Sequence, residues 1–334
     1  MKYIGSKYSL IPFIISTIED IAGKDLSGKV FCDIFAGTGV VGRTFKTRVN
    51  KIISNDWEYY SYVLNRNYIG NHLAMDYKEE LIAELNNINS SEGGFIYKNY
   101  CSGGGSGRQY FSDENGKKID AIRTQIEVWR DSHKISEDMY FFLLASLLES
   151  SDKVANTASV YGAFLKHLKN SAQKPLILEP ALYTINANIH DVYCMDSNML
   201  IKNIQGDILY LDPPYNSRQY GANYHLLNTI AEYKYFEPKG KTGLRDYMRS
   251  LYCGKKSVMP SFESLIKDAK FKYIILSYNN EGLMSLNDIA TIMSKYGNYD
   301  VVYREYQRFR ADKEERRKHT ANRTTEYLHI LEKR

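Results

Sequence analysis

Two absences in the sequence narrow the classes to which this protein can belong. Its 334 residues include four cysteines that lie far apart and form no metal-ligand pair, namely Cys32, Cys101, Cys194 and Cys253. We therefore expect neither a disulfide framework nor a metal site, and free thiols favour a reducing cytoplasm. There is also no apolar run of about eighteen residues and no signal-peptide core at the N-terminus, so we predict no membrane span.

Net charge is low as well, but it is distributed unevenly. The chain carries a formal charge of +5, and between Arg304 and Arg323 eight Lys or Arg stand against four acids. Such a segment fits a solvated charged loop. It fits equally a surface that contacts phosphates, since Lys and Arg that neutralise phosphates supply most sequence-independent affinity for DNA.

The first part of the chain alternates helical and strand patterns around a glycine turn. Apolar residues recur at helical spacing between residues 10 and 21, and a short apolar run follows at 29–35. That run ends in Ala36-Gly37-Thr38-Gly39, a helix is predicted over 40–45, and a second strand over 51–56 ends in an acid. This order predicts a Rossmann-like, doubly wound α/β sheet.

Strand patterns fade in the middle of the chain and then return. Helices are predicted at 120–133 and 137–149, and the glycine-rich stretch 102–107 indicates a flexible hinge. Later strands are predicted at 191–195, 207–211, 273–277, 299–303 and 326–331. We therefore predict a mixed-sheet domain built from residues 1–75 and 190–334, interrupted by a mostly helical insertion at 76–189.

The glycine turn indicates a nucleoside-binding site. Gly37, Gly39 and Gly42 satisfy the spacing G-x-G-x-x-G after a strand. Alone, this pattern fits a nicotinamide or flavin dinucleotide as well as any other nucleoside. In each case glycine admits a close backbone approach, and an acid after the second strand binds ribose hydroxyls. Asp56 is the candidate for that role, with Trp57 beside the adenine.

A second motif follows a later strand and favours one chemistry. Asp212-Pro213-Pro214-Tyr215, here called the proline loop, directly follows an apolar strand and so lies at the ligand-binding edge of the sheet. Two prolines remove two N–H donors and leave carbonyl acceptors in a stiff turn. The alternative is a proline turn that serves packing alone. Acceptors around an NH₂ group are the better explanation of this composition.

The residue types of the proline loop suit methylation of the adenine amine. The Asp212 carboxylate and the Pro213 carbonyl can each accept one N–H, which draws the nitrogen toward tetrahedral geometry and aims its lone pair at a methyl donor. Because this is orientation and electrostatics, no Cys or Ser nucleophile is required. Tyr215 would stack on a flipped base. Stacking contributes about 1–3 kcal/mol, which offsets part of the free energy needed to flip the base.

Three motifs follow one another along the chain, namely Tyr3-Ile4-Gly5-Ser6-Lys7, Asp33-Ile34-Phe35-Ala36-Gly37-Thr38-Gly39 and the proline loop. In this order they resemble the Dam-like group of adenine-specific (N6) DNA methyltransferases, including those of type II restriction–modification systems. The first motif is specific, because other methyltransferase groups carry it after the catalytic loop. The resemblance covers residues 1–75 and 190–334 and implies the S-adenosylmethionine-dependent methyltransferase fold.

The resemblance implies a set of site residues. Catalytic residues would be Asp212, Pro213, Pro214 and Tyr215. S-adenosylmethionine would be bound by Tyr3, Lys7, Asp33, Phe35, Ala36, Gly37, Thr38, Gly39, Asp56, Trp57, Asp196, Ser197 and Asp212. DNA-binding residues would be Asn216, Arg218 and Tyr220 after the proline loop, with Arg308, Arg310, Arg316, Arg317 and Lys318 in the basic segment.

The resemblance also implies partners. The substrate would be double-stranded DNA, and the insertion at 76–189 would be the target-recognition region. We expect a monomer that acts on nucleoid DNA in a bacterial cytoplasm, with a cognate endonuclease as a separate protein.

Other functions remain compatible with parts of the sequence. An RNA adenine or protein glutamine methyltransferase shares the chemistry, but such enzymes usually have Asn in place of Asp212. A catalytically silent DNA-binding module would not need an intact proline loop. A dinucleotide oxidoreductase accounts for the glycine turn and leaves the proline loop without a role.

Overall fold

The computed structural model of the chain describes residues 6–307 and 323–334. Within them the chain forms two compact units. The sheet unit consists of residues 6–57, 188–219, 249–307 and 323–334, and the helical unit of residues 58–187 and 220–248. No helix in the described part of the chain is long and apolar enough to cross a membrane.

The secondary structure follows the predicted alternation. The strands are β1 (Val30–Asp33), β2 (Lys51–Asn55), β3 (Asp191–Tyr193), β4 (Gln205–Leu211), β5 (Lys270–Asn279), β6 (Gly297–Gln307) and β7 (Arg323–Lys333). The helices are α1 (Ile11–Ala22), α2 (Val40–Phe45), α3 (Tyr59–Asn65), α4 (Lys78–Asn86), α5 (Phe95–Tyr100), α6 (Asp113–Asp131), α7 (Glu137–Val154), α8 (Ser197–Leu200), α9 (Tyr220–Asn223), α10 (His225–Glu232), α11 (Val258–Asp268) and α12 (Leu286–Met293).

The described strands form one mixed sheet in the order β3-β2-β1-β4-β5-β7-β6. β1 to β5 pair in parallel, whereas β7 lies antiparallel between β5 and β6. The prediction of a doubly wound, Rossmann-like mixed sheet is thereby confirmed. Only the insertion of β7 between two earlier strands has no counterpart in the sequence pattern.

The sheet order places a ligand-binding crevice at β1 and β4. After β1 the chain places β2 and β3 on one side of that strand, and it then returns to place β4 on the other side. The pair β1 and β4 is therefore the topological switch point of the sheet. In the β1–β4 register Asp33 lies opposite Tyr210. The proline loop therefore begins beside the last residue of β1.

The parallel strands of this unit are buried on both faces. In β4 the four residues from Ile208 to Leu211 are all buried, as is usual where helices cover both sides of a parallel sheet. Phe31 of β1 stacks on Phe45 of α2 with 4.5 Å between ring centroids. Such packing anchors the strand ends that carry the site.

The helical unit has its own core, in which aliphatic side chains pack with many aromatic rings. Tyr60, Tyr100, Tyr110 and Tyr161 are all fully buried. Many of the 29 tyrosines in the sequence thus serve packing. Ser112 and Ser136 directly precede α6 and α7 and cap them, because their hydroxyls accept backbone N–H bonds of the first turn.

The boundaries of the two units differ from the predicted domain limits. Residues 58–75 and 220–248, which the sequence analysis assigned to the sheet domain, lie in the compact helical unit. The reason is that α3 and α10 have apolar faces that pack in the core of that unit. Local patterns identify such faces but do not indicate which core they join.

The glycine-rich stretch 102–107 is not the flexible hinge that composition suggested. Residues 102–104 form a short 3₁₀ turn, and the Gly103 N–H donates to Asp113 Oδ1 at 2.9 Å. A side chain at Gly103 would collide with the Asp113 carboxylate. Close packing against α6 therefore explains the absence of a side chain there.

Candidate active site

Asp33 brings a buried carboxyl to the end of β1. Its side chain is 1% exposed, and its Oδ1 has no hydrogen-bond partner among the described residues. Burial raises the pKa of Asp33 well above its usual range, and the nearby charges of Asp212 and Asp56 raise it further. A buried acceptor of this kind fits a cationic ligand group.

The glycine turn that follows is fixed to the end of β2. Gly37 and Gly39 have φ values of 52° and 76°, a left-handed conformation that side chains disfavour. The Gly37 N–H donates to Asp56 Oδ2 at 2.7 Å. The structure thus brings together the turn and the acid that the sequence placed in one nucleoside site.

Asn55, which sequence reasoning did not identify, holds three strand ends together. Its Nδ2 donates to the carbonyls of Ile34 and Met195 at 3.0 and 3.1 Å, and its Oδ1 accepts the Met195 N–H at 3.0 Å. The amide is 1% exposed. An amide at the last position of a buried strand was the available signal.

Asp212, the first residue of the proline loop, pairs with the N-terminal lysine. Lys7 Nζ lies 3.0 Å from Asp212 Oδ1, and the two side chains are 7% and 20% exposed. Burial raises the pKa of Asp212 to about 6, although Lys7 opposes the shift and Glu326 adds to it. Burial lowers the pKa of Lys7, but Asp212 and Glu326 together hold it well above its usual range.

Glu326 of β7 is a second partner of the same lysine and was missed by sequence reasoning. Lys7 Nζ lies 3.0 Å from Glu326 Oε1, and the Ser277 hydroxyl donates to that carboxylate. Glu326 is 1% exposed. The available signal was the alternation of side chains along the strand. Residues two apart lie on one face, so Glu326 shares a face with the apolar Leu328 and Ile330.

The rest of the proline loop is tied by its backbone. Pro213 is buried, and Pro214 and Tyr215 are half-buried. The Tyr215 carbonyl accepts the Leu283 N–H at 3.0 Å. Burial raises the pKa of the Tyr215 phenol, so it stays neutral.

The loop continues into residues predicted to contact DNA. Asn216 Oδ1 accepts the Arg218 N–H at 2.9 Å, and the Cys253 thiol donates to the Arg218 carbonyl at 3.4 Å. The Arg218 side chain is exposed. Tyr220 begins α9 in the helical unit and stacks on Tyr224.

The remaining predicted cofactor contacts lie around β1, β2 and α8. Phe35 meets the edge of the buried Tyr252 ring at 5.0 Å between centroids. Asp196 accepts the Met199 N–H at 3.0 Å and so caps α8, whose first residue Ser197 is buried. Ala36 and Thr38 belong to the glycine turn, and Trp57, directly after Asp56, is half-buried.

Several predicted site residues lie outside the described residues. These are Tyr3, expected in the cofactor pocket, and the basic set expected on DNA, namely Arg308, Arg310, Arg316, Arg317 and Lys318.

Comparisons with known proteins point to one family. Residues 3–292 match the family described as D12 class N6 adenine-specific DNA methyltransferase. The chain is 64% identical over 333 residues to the type II methyltransferase M.NlaIII of Neisseria lactamica, covering 100% of this chain and 99% of that protein. It is 38% identical to M.CviAII of Paramecium bursaria Chlorella virus 1, with 92% of each covered. M.FokI of Planomicrobium okeanokoites is also 38% identical, and the match covers 100% of this chain and 53% of that protein.

Proposed function

Since this chain belongs to the D12 class of N6 adenine-specific DNA methyltransferases, we propose that it is the site-specific modification enzyme of a type II restriction–modification system. It transfers the methyl group of S-adenosylmethionine to N6 of adenine in duplex DNA. The observation that carries the assignment of the site is the Lys7–Asp212 ion pair at the start of the proline loop.

The residues around β1 and β2 fit S-adenosylmethionine. That molecule has a cationic amino-acid part and a nucleoside part, and when bound it supplies an electrophilic methyl group. The buried Asp33 carboxyl suits the cationic part, and the left-handed Gly37 and Gly39 let the backbone come close. Asp56 is assigned to the ribose hydroxyls and Trp57 to the adenine face.

Asp196 and Ser197, at the start of α8, complete the cofactor assignment with Phe35 of the glycine turn. Lys7 belongs to this set through the family resemblance and lies against Asp212 in the structure. The Lys7 ammonium orients the Asp212 carboxylate, which accepts an N–H of the adenine amine.

The proline loop orients the substrate amine. With a pKa of about 6, Asp212 is largely ionised at pH 7 and accepts one N–H of the adenine amine at Oδ1 or Oδ2. The Pro213 carbonyl accepts the other. Because both acceptors are fixed before the base arrives, the loop contributes orientation and electrostatic stabilisation without a covalent intermediate.

The amine of a paired adenine is buried in the duplex, so the base must leave the helix. The half-buried Tyr215 ring provides a surface on which the flipped base stacks. The exposed Arg218 is assigned to an adjacent phosphate, with Asn216 and Tyr220 near the base. The basic residues between 308 and 318 are assigned to the DNA backbone.

The substrate class is tested by incubating the protein with tritiated S-adenosylmethionine and DNA, RNA or protein. We expect label in DNA alone, recovered as N6-methyladenine after hydrolysis. Label confined to RNA or protein would overturn the proposal. Single-molecule sequencing of DNA from a methylation-free host that expresses the protein then identifies the recognition site.

We further propose that the enzyme acts as a monomer on nucleoid DNA in the cytoplasm, with its endonuclease a separate protein. Sedimentation of the free enzyme tests the first point, with one monomer-mass species expected. A stable dimer at micromolar concentration would contradict it.

A further inference from the structure

A chain of polar contacts runs from β5 through β7 to the proline loop. The Ser277 hydroxyl donates to Glu326, and Glu326 and Asp212 each lie 3.0 Å from Lys7 Nζ. Lys7 and Glu326 are 7% and 1% exposed as side chains. The proposed methylation chemistry uses Asp212 and leaves Glu326 without a role.

Burying two carboxylates beside one ammonium lowers the stability of the fold, since charges removed from water lose their hydration. Such an arrangement therefore calls for a functional reason. A Lys7–Asp212 pair alone would be neutral, and adding Glu326 leaves an excess negative charge. Packing alone would be better served by an apolar side chain at this position of β7, as at Leu328 and Ile330.

Dividing one ammonium between two carboxylates has a chemical consequence. An ammonium bound to Asp212 alone would draw electron density from that carboxylate and occupy one acceptor site. A second carboxylate at the same distance from Lys7 Nζ weakens the pull of the ammonium on Asp212. Asp212 then keeps more of its strength as a hydrogen-bond acceptor for an incoming amine.

We propose that Glu326 is a positioning residue of the methyl-transfer site, which shares the Lys7 ammonium with Asp212 and so keeps the Asp212 carboxylate available to the adenine amine. This inference rests on the proposed role of Asp212. Glu326 itself touches neither base nor cofactor and acts through Lys7.

Other groups near Asp212 do not replace Glu326. Asp33 at the end of β1 is buried, and burial together with the charges of Asp212 and Asp56 keeps the pKa of Asp33 well above its usual range. Burial also raises the pKa values of Tyr210 in β4 and Tyr215 in the loop, so both phenols remain neutral. Lys7 and Glu326 are thus the charged groups that contribute most to the pKa of Asp212.

The direct test is a ¹³C NMR titration of the full-length protein labelled at aspartate carboxyls, with Asp212→Asn identifying the resonance. In the wild type we expect a midpoint of about 6. Glu326→Gln lowers it by about one unit, because a like charge at this range shifts a pKa by that order. Lys7→Met raises it. A general loosening of the fold would move both variants in the same direction.

Single-turnover methylation at saturating DNA supplies a second readout. Glu326→Gln should move the acid limb of the rate profile down with the NMR midpoint. It should also lower the rate above pH 8 by roughly three- to tenfold, since acceptor strength follows part of the pKa change. The matched control is Glu332→Gln, an exposed carboxylate on the same strand, which should leave both profiles unchanged.

The outcomes separate the two proposals. If Asp212→Ala retains turnover, the proposed role of Asp212 fails. If Asp212→Ala is inactive and the Glu326→Gln midpoint equals that of the wild type, the inference on Glu326 is overturned. Should Glu326→Gln not fold, Glu326→Asp keeps the charge farther from Lys7. A smaller downward shift supports the inference, and no shift overturns it.

Discussion

At the scale of single residues, the site depends on carboxyls whose ionisation is set by burial. Asp33 is held toward its neutral form. Asp212 is ionised at physiological pH because Lys7 offsets part of the rise in pKa that burial causes. The two proposed tasks differ accordingly. Asp33, whose Oδ1 has no partner among the described residues, would ionise when a cationic ligand group binds beside it. The Asp212 carboxylate is already charged and can accept N–H groups.

Replacing the Asp212 carboxylate should abolish methylation and spare DNA affinity. Asp212→Ala removes a fixed acceptor, and loss of one preorganised group of this type costs about 100- to 1000-fold or more in rate. Methyl transfer and fluorescence anisotropy on the same duplex measure the two effects. Asp246→Ala, an exposed acid of the helical unit, is the control and should remain fully active. Equal turnover by both variants would remove Asp212 from the mechanism.

The stability of the protein should depend on pH through the same residue. The folded-state pKa of Asp212 is about 6, above the ordinary value of 3.8, so the folded protein holds this proton more tightly than the unfolded chain. The resulting stabilisation is present at low pH and is lost as pH rises through about 6. Asp212→Asn should therefore raise Tm relative to the wild type more at pH 8 than at pH 5. Calorimetric melts at the two values would show a constant difference if Asp212 were not perturbed.

At the scale of elements, the glycine turn and Asn55 join the ends of β1, β2 and β3. The turn needs left-handed backbone at Gly37 and Gly39, and the Gly37 N–H is bound to Asp56. The Asn55 amide bonds to both neighbouring strand ends. These contacts place the carboxyls of the site on a rigid edge.

Adding a methyl group to the turn should weaken both folding and cofactor binding. Gly39→Ala places a side chain at φ 76°, which costs about 1–2 kcal/mol of unfolding free energy. Urea unfolding measures this loss, and calorimetric titration measures the affinity for S-adenosylmethionine. The matched control is Gly28→Ala, whose added Cβ meets no atom within 4 Å. The turn would lose its assigned role if both variants bound the cofactor equally.

At the scale of the whole molecule, DNA affinity is expected to depend on the basic segment. Arg316→Ala with Arg317→Ala removes two phosphate-contacting charges, so binding should weaken on all sequences alike. The slope of log K against log salt should fall by about 1.8, since each released phosphate contact contributes about 0.9. Anisotropy titrations over a salt series measure the slope. Lys255→Ala with Lys256→Ala matches the charge change, and an equal effect there would argue against a local contact.

The family and much of the fold could be predicted because their signals are local. The resemblance to Dam-like adenine methyltransferases is confirmed by the match over residues 3–292. Each predicted strand overlaps an observed one, since apolar runs between turn residues specify strands without reference to the rest of the chain. The prediction of a flexible hinge at 102–107 was wrong, because a glycine in a sequence indicates backbone freedom or close packing equally well.

The sequence by itself determined the family of this protein and with it the N6-adenine chemistry, because the glycine turn and the proline loop that carry the resemblance each lie in a few consecutive residues. Only the tertiary structure decided which other groups lie beside the proline loop. Lys7, Asp212 and Glu326 are far apart in the chain, and they meet because β7 enters the sheet antiparallel beside β5. Strand order and register arise from packing of the whole sheet, so no local pattern could indicate that an acid in β7 would share the lysine of the N-terminal motif.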